Sequence, residues 1–152
     1  MVQLFYVLHF RGGVSPSAAD QQVIEVKTSA LSGQFTTTIA DDGLVSGKSV
    51  LDGEDALFES TVTPIDAHSF HEKGSLTFGD GGHRLHFETV QPGTMSASVE
   101  GGAVQGAVVW RVQRGEGQFS GAQGYITSNF SMDQAGKVED FQLGFLQLPD
   151  RG

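Results

Sequence analysis

The sequence predicts an all-β domain of eight to ten strands, arranged as a barrel or a sandwich. Three observations carry this. Stretches rich in Val, Ile, Thr and Phe recur along the chain with a two-residue alternation, the period of a strand. Gly, Asp, Ser and Pro cluster between them as turn signals. No long stretch repeats with the 3.6-residue period of a helix. Glycine (21 residues) and phenylalanine (11) dominate the composition, which suits short strands and tight turns. A barrel is favoured over a sandwich because closure removes the exposed edges of such strands.

In chain order, Val2 to Phe10 reads as a strand with apolar residues on both faces. Gly12-Gly13 to Asp20 reads as a break, with a helical turn after Pro16, and Val23 to Val26 as strand again. Gly33 to Ala40 is threonine-rich and β-branched, hence strand. Asp41-Asp42-Gly43 marks a hairpin, Gly43 to Leu51 a weaker return strand, and Asp52-Gly53-Glu54-Asp55 another turn. Ala56 to Ile65 is strand. Ser69 to Phe78 and His83 to Val90 form the clearest hairpin, joined by Gly79-Asp80-Gly81-Gly82. Gly93 to Val99 is ambiguous and Gly101-Gly102 breaks it. Ala107 to Gln113 is strand, Gly117 to Met132 one or two strands, Asp133 to Gly136 a turn, and Lys137 to Leu148 the last strand.

The 152 residues make one domain, able to bury a core without staples. With no cysteine there is no disulfide, thiolate nucleophile or Cys-based zinc site. A net charge of −9 repels phosphate backbones and anionic lipid, which argues against nucleic-acid and membrane partners. No basic segment precedes a long apolar run, and no stretch reaches the length of a membrane span. These features predict a soluble, cytoplasmic protein.

Glycine is densest in Gly115-Glu116-Gly117-Gln118-Phe119-Ser120-Gly121-Ala122-Gln123-Gly124-Tyr125. A phosphate-cradling loop would need a helix after it, but residues 125–132 alternate with period two. The stretch is therefore read as a barrel corner, with glycines sharpening the bend and Phe119 plugging the interior. Gly115, Gly117, Phe119, Ala122 and Gly124 resemble the glycine-rich signature of the allene oxide cyclase and dirigent β-barrels; Arg114 and Glu116 depart from it. The resemblance spans roughly residues 106–132. It implies a single antiparallel eight-stranded, calycin-like barrel with a pocket in its mouth, often homo-oligomeric (a dimer or trimer). The glutamate and cysteine of allene oxide cyclase chemistry cannot both be present here, because the chain has no cysteine.

Candidate chemistry concentrates on the histidines and on two polar rows. His68 and His71, and His83 and His86, are three apart; on a strand that spacing sends each pair to opposite faces, which disfavours a metal site. Across the hairpin His71 or His68 could still approach His86, which leaves a metal-dependent enzyme using His71 and His86 as a third reading. Phe70, Glu72, Leu76 and Phe78 share one parity, Leu85 and Phe87 the apolar side of the return strand, and Arg84, His86 and Glu88 its polar side. If that side lines a pocket, His86 is a general acid or base oriented by Glu88, with Arg84 stabilising an oxyanion. The alternative is that the row faces water. A second row, Tyr125, Thr127, Asn129 and Ser131, carries the same choice. Trp110 is core, interface or ligand platform. An inward Glu59 would have a raised pKa.

The leading expectation is an enzyme without cofactor or metal, an isomerase, cyclase or lyase acting by proton transfer on a small, largely apolar molecule. His86, Glu88 and Tyr125 are its candidate catalytic residues, and Arg84, Asn129, Trp110, Glu59 and His71 its candidate ligand contacts. The alternative is a non-catalytic barrel that binds a hydrophobic ligand.

Overall fold

The computed structural model describes residues 1–97 and 102–150. Nine strands account for most of them: β1 (Val2–Pro16), β2 (Ile24–Ile39), β3 (Val45–Pro64), β4 (Ser69–Phe78), β5 (His83–Thr89), β6 (Gly93–Ala97), β7 (Val104–Glu116), β8 (Gln123–Met132) and β9 (Lys137–Leu148). The sole helical element among the described residues is a 3₁₀ turn, Gly117–Phe119. Among the described residues no helix is long and apolar enough to cross a membrane.

The strands pair antiparallel in the order β3-β2-β1-β9-β8-β7-β5-β4, and β4 returns to β3. The pairing therefore closes a ring of eight. β5 has only seven residues, so β4 and β7 outrun it at one end. β6 fills that gap, pairing Ser69 and Phe70 of β4 on one side and Val104 to Ala107 of β7 on the other.

Three expectations are corrected. Gly12-Gly13 does not end β1, because both residues still pair with β9 and β2. No helical turn follows Pro16; the short loop is closed by Ser17 N donating to Val23 O at 2.8 Å. Asp52 to Asp55 is strand rather than turn. Its polar run coincides with a register irregularity between Leu31 and Gly33, so it marks a distortion inside one long strand. Gly93–Ala97 resolves as strand; Val99 and Gly101 lie outside the described residues.

Alternation sends one parity of each strand into the ring. Phe10, Phe58, Phe70, Leu76, Leu85, Trp110, Ile126 and Leu146 are almost fully buried there. The aromatic centre is Phe58, whose ring lies 5.4 Å from both Phe87 and Trp110 and 5.9 Å from Phe10. Phe119 is buried 5.1 Å from Phe78 and plugs the end where the glycine stretch turns. The glycines there serve close approach: a Cβ on Gly115 would strike the Phe119 carbonyl, and one on Gly124 (φ +144°) the Phe145 carbonyl. Gly115→Ala is expected to cost about 1–3 kcal/mol by overpacking, read as a lower urea midpoint at unchanged slope. An unchanged midpoint would refute this account of the bend.

Candidate functional site

Glu72 stands on β4 between Phe70 and Leu76, in the row that faces inward, and Asp140 stands on β9 between Val138 and Gln142, also inward. Both line one cavity of about 80 Å³, whose walls are otherwise mostly apolar: Phe58, Phe70, Trp110, Phe130, Met95 and Val138 among them. The cavity lies toward the end of the ring where Val14, Ile24, Val62 and Met132 are only partly buried. It is reached from the end opposite the Phe119 plug.

Each carboxyl is held by two donors. Ser60 Oγ donates to Glu72 Oε2 at 2.5 Å and Trp110 Nε1 to Oε1 at 3.2 Å. Ser128 Oγ donates to Asp140 Oδ1 at 2.6 Å and Gln142 Nε2 to Oδ2 at 2.7 Å. Burial disfavours the charged forms. It pushes Glu72 up to about 7, against the pull of its Ser60 and Trp110 hydrogen bonds, with the Asp140 charge adding to the rise. It pushes Asp140 up to about 6, against the Ser128 and Gln142 bonds. The pair thus sets two carboxyls of raised pKa in one mostly apolar cavity, an arrangement suited to proton transfer.

Behind Asp140 the polarity continues. The register places Gln142 opposite Leu8 and Gly144 opposite Tyr6, one and two inward positions further from the mouth. The Tyr6 hydroxyl and Gln142 Oε1 are buried without a hydrogen-bond partner. Burial and the Asp140 charge push the Tyr6 hydroxyl up, so it stays a neutral donor.

The residues singled out from sequence fall differently. Trp110 does line the cavity. Arg84, His86 and Glu88 do not, because they alternate with buried Leu85 and Phe87 and so face outward. There His86 and Arg84 approach Glu116, at 3.6 and 3.9 Å. His71 meets Glu88 (2.9 Å) and Thr89 (2.6 Å) rather than His86. Tyr125 and Asn129 are exposed on the outer face of β8, opposite in parity to buried Ile126 and Ser128, and Glu59 is exposed beside buried Phe58. None of these seven side chains lines the inner cavity; Tyr125 and Asn129 border one depression of the outer surface and Glu59 another. Among the described residues no three His, Asp or Glu side chains gather as a metal site. The signal for Glu72 was present in the sequence: one carboxylate in a row of Phe70, Leu76 and Phe78. A lone acid on an apolar face must be paired or raised in pKa.

No family model matches the chain, and no curated protein matches it in sequence. Among solved structures the chain is similar to that of the pterocarpan synthase dirigent protein GePTS1, with 13% identity over 97% of this chain and 90% of that one and a TM-score of 0.49.

Proposed function

We propose that the ring is a β-barrel of the allene oxide cyclase and dirigent kind, and that its open end takes up a small, largely apolar molecule. Glu72 and Asp140 then exchange a proton with that molecule, in an isomerisation, cyclisation or elimination. The observation that carries this reading is two buried carboxyls of raised pKa facing one apolar cavity. One of the two carboxyls serves as the acid and the other as the base. The cavity is smaller than the several hundred cubic ångströms of a drug-sized site. It therefore holds one end of the molecule, a carbonyl or hydroxyl, while the apolar remainder fills the mouth between Val62, Met95 and Met132.

Trp110 provides the assay, because the only tryptophan of the chain touches Glu72 and the cavity. Small phenols and enolisable ketones are screened for quenching of its emission. Compounds that bind are then tested by NMR for exchange of carbon-bound hydrogen with deuterated solvent. Binders are expected, and Glu72→Gln should slow their exchange by at least about 100-fold. Binding without exchange in the wild type would leave a carrier, and absence of any quenching would remove the ring interior as the site.

A further inference from the structure

β2 and β3 continue past the ring as a free hairpin arm. β2 pairs with β1 only from Ile24 to Ser29, and β3 with β4 only from Ala56 to Pro64. Residues 33–39 and 45–51 pair with each other and with no other described strand. The arm is two-faced. The register puts Phe35, Ile39, Val45 and Leu51 on one side, and Gln34, Thr36, Thr38, Ser46 and Lys48 on the other with Val50. In the ring Val26, Thr28 and Ala30 of β2 and Ala56, Phe58 and Ser60 of β3 face inward, so by alternation the first side continues the outer face of the sheet. Ile39 and Val45 are 70% and 69% exposed, and a Cβ added at Gly47 would meet no atom within 4 Å. A lone two-stranded hairpin is marginal in water at best, and its open edges invite pairing.

The same chain carries a second unpartnered apolar surface. On the outer face of β1, β9, β8 and β7, Phe5, Phe145 and Tyr125 lie in one cross-strand row, and Leu143 and Val109 in the next, with Phe141 beyond. All are substantially exposed, Phe5 by 73%. The charges facing outward on these strands are Arg11, Arg111, Lys137 and Glu139, with Arg11 paired to Glu139 at 3.4 Å, a positive balance in a chain of net charge −9. The arm tip is acidic, with Asp41 and Asp42 in its turn.

We infer that the arm is a clasp for a second copy of this chain, its apolar side lying on the partner's outer β1–β9–β8 face and its Asp41–Asp42 tip reaching toward Arg111 or Lys137. Seven residues per strand give an arm about 24 Å long and about 10 Å wide, hence about 240 Å² per surface. Reciprocal exchange covers four such surfaces, about 1,000 Å², the threshold of a specific interface. A nucleic acid or anionic membrane is repelled by the chain's charge, and an added peptide strand would leave the apolar face of β1–β9–β8 uncovered.

Analytical ultracentrifugation of the full chain tests this, with Trp110 emission reporting an intact ring. The wild type is expected at twice the 16.1 kDa chain mass or a higher multiple. The arm variant Ile39→Asp/Val45→Asp and the face variant Phe5→Asp/Phe145→Asp alter only exposed side chains, and each is expected to dissociate at least tenfold more readily. Mixed together, the two variants can form one of the two contacts, the face variant's arm on the arm variant's face, and should associate more weakly than the wild type. A monomeric wild type, or an arm or face variant that assembles like the wild type, would overturn the proposal.

Discussion

Glu72→Gln is expected to stabilise the chain at pH 8 by about 3 kcal/mol and to leave it nearly unchanged at pH 4. Glu72 rises from 4.5 to about 7 on folding, and each pKa unit is worth about 1.4 kcal/mol. A raised carboxyl favours the fold fully below its unfolded value, where both states hold the proton. Stability then falls as pH climbs from about 4.5 to about 7, because the unfolded chain ionises freely while the folded one must bury the charge. Glutamine never ionises, and it keeps the local bonds: its oxygen accepts from Trp110 Nε1, and its amide donates to Ser60 Oγ. Asp140→Asn should act likewise above about pH 6. There the unpaired Gln142 Oε1 can turn to accept from the new amide. The double variant should gain less than the sum, because the Asp140 charge is part of what raises Glu72. Urea unfolding at pH 4 and 8, followed by Trp110 emission, reads all of this. A wild type with equal stability at both pH values would show that these carboxyls are not held as described. The gain is expected to come with loss of proton transfer, since the same buried charge that weakens the fold equips the site.

Phe58→Ala is expected to cost about 3–5 kcal/mol. Phe58 is the residue on which Phe10, Phe87 and Trp110 converge, and it walls the cavity. A closed ring of paired strands cannot collapse into the space left behind, so the upper half of the range applies. The variant's cavity joins that space, and bulkier ligands should bind it than bind the wild type. A loss under about 1 kcal/mol would mean that the ring relaxes around the gap and that its aromatic centre is not a rigid packing unit.

The strand content was legible because period two is a local property. So was the Phe119 corner, where glycine density and one apolar side chain permit little else. The long strands were less so: Gly12-Gly13 and Asp52 to Asp55 carry turn chemistry, yet cross-strand pairing on both flanks holds them extended. The site was the least legible part. Alternation says which side chains share a face but not which face looks inward. On β5 the polar row His86 and Glu88 drew attention, whereas the acid that lines the cavity sat in the apolar row of β4. On β9 the hint pointed the wrong way. Phe141, Leu143 and Phe145 form the more apolar row, yet they face outward, while Asp140 and Gln142 face in.

By itself the sequence determined an all-β chain, the turns at Asp41-Asp42-Gly43, Gly79 to Gly82 and Asp133 to Gly136, and the plugged glycine corner. Tertiary structure alone decided ring closure, the inward face of each strand and the meeting of Glu72 with Asp140, residues 68 positions apart in the chain. The physical reason is that the space inside a closed ring is shared. Phe58, Phe87 and Trp110 fill it from β3, β5 and β7, so β9 can contribute Asp140, Gln142 and Gly144 there and leave its large apolar side chains outside. That division of volume is a property of eight strands together, and no single strand records it.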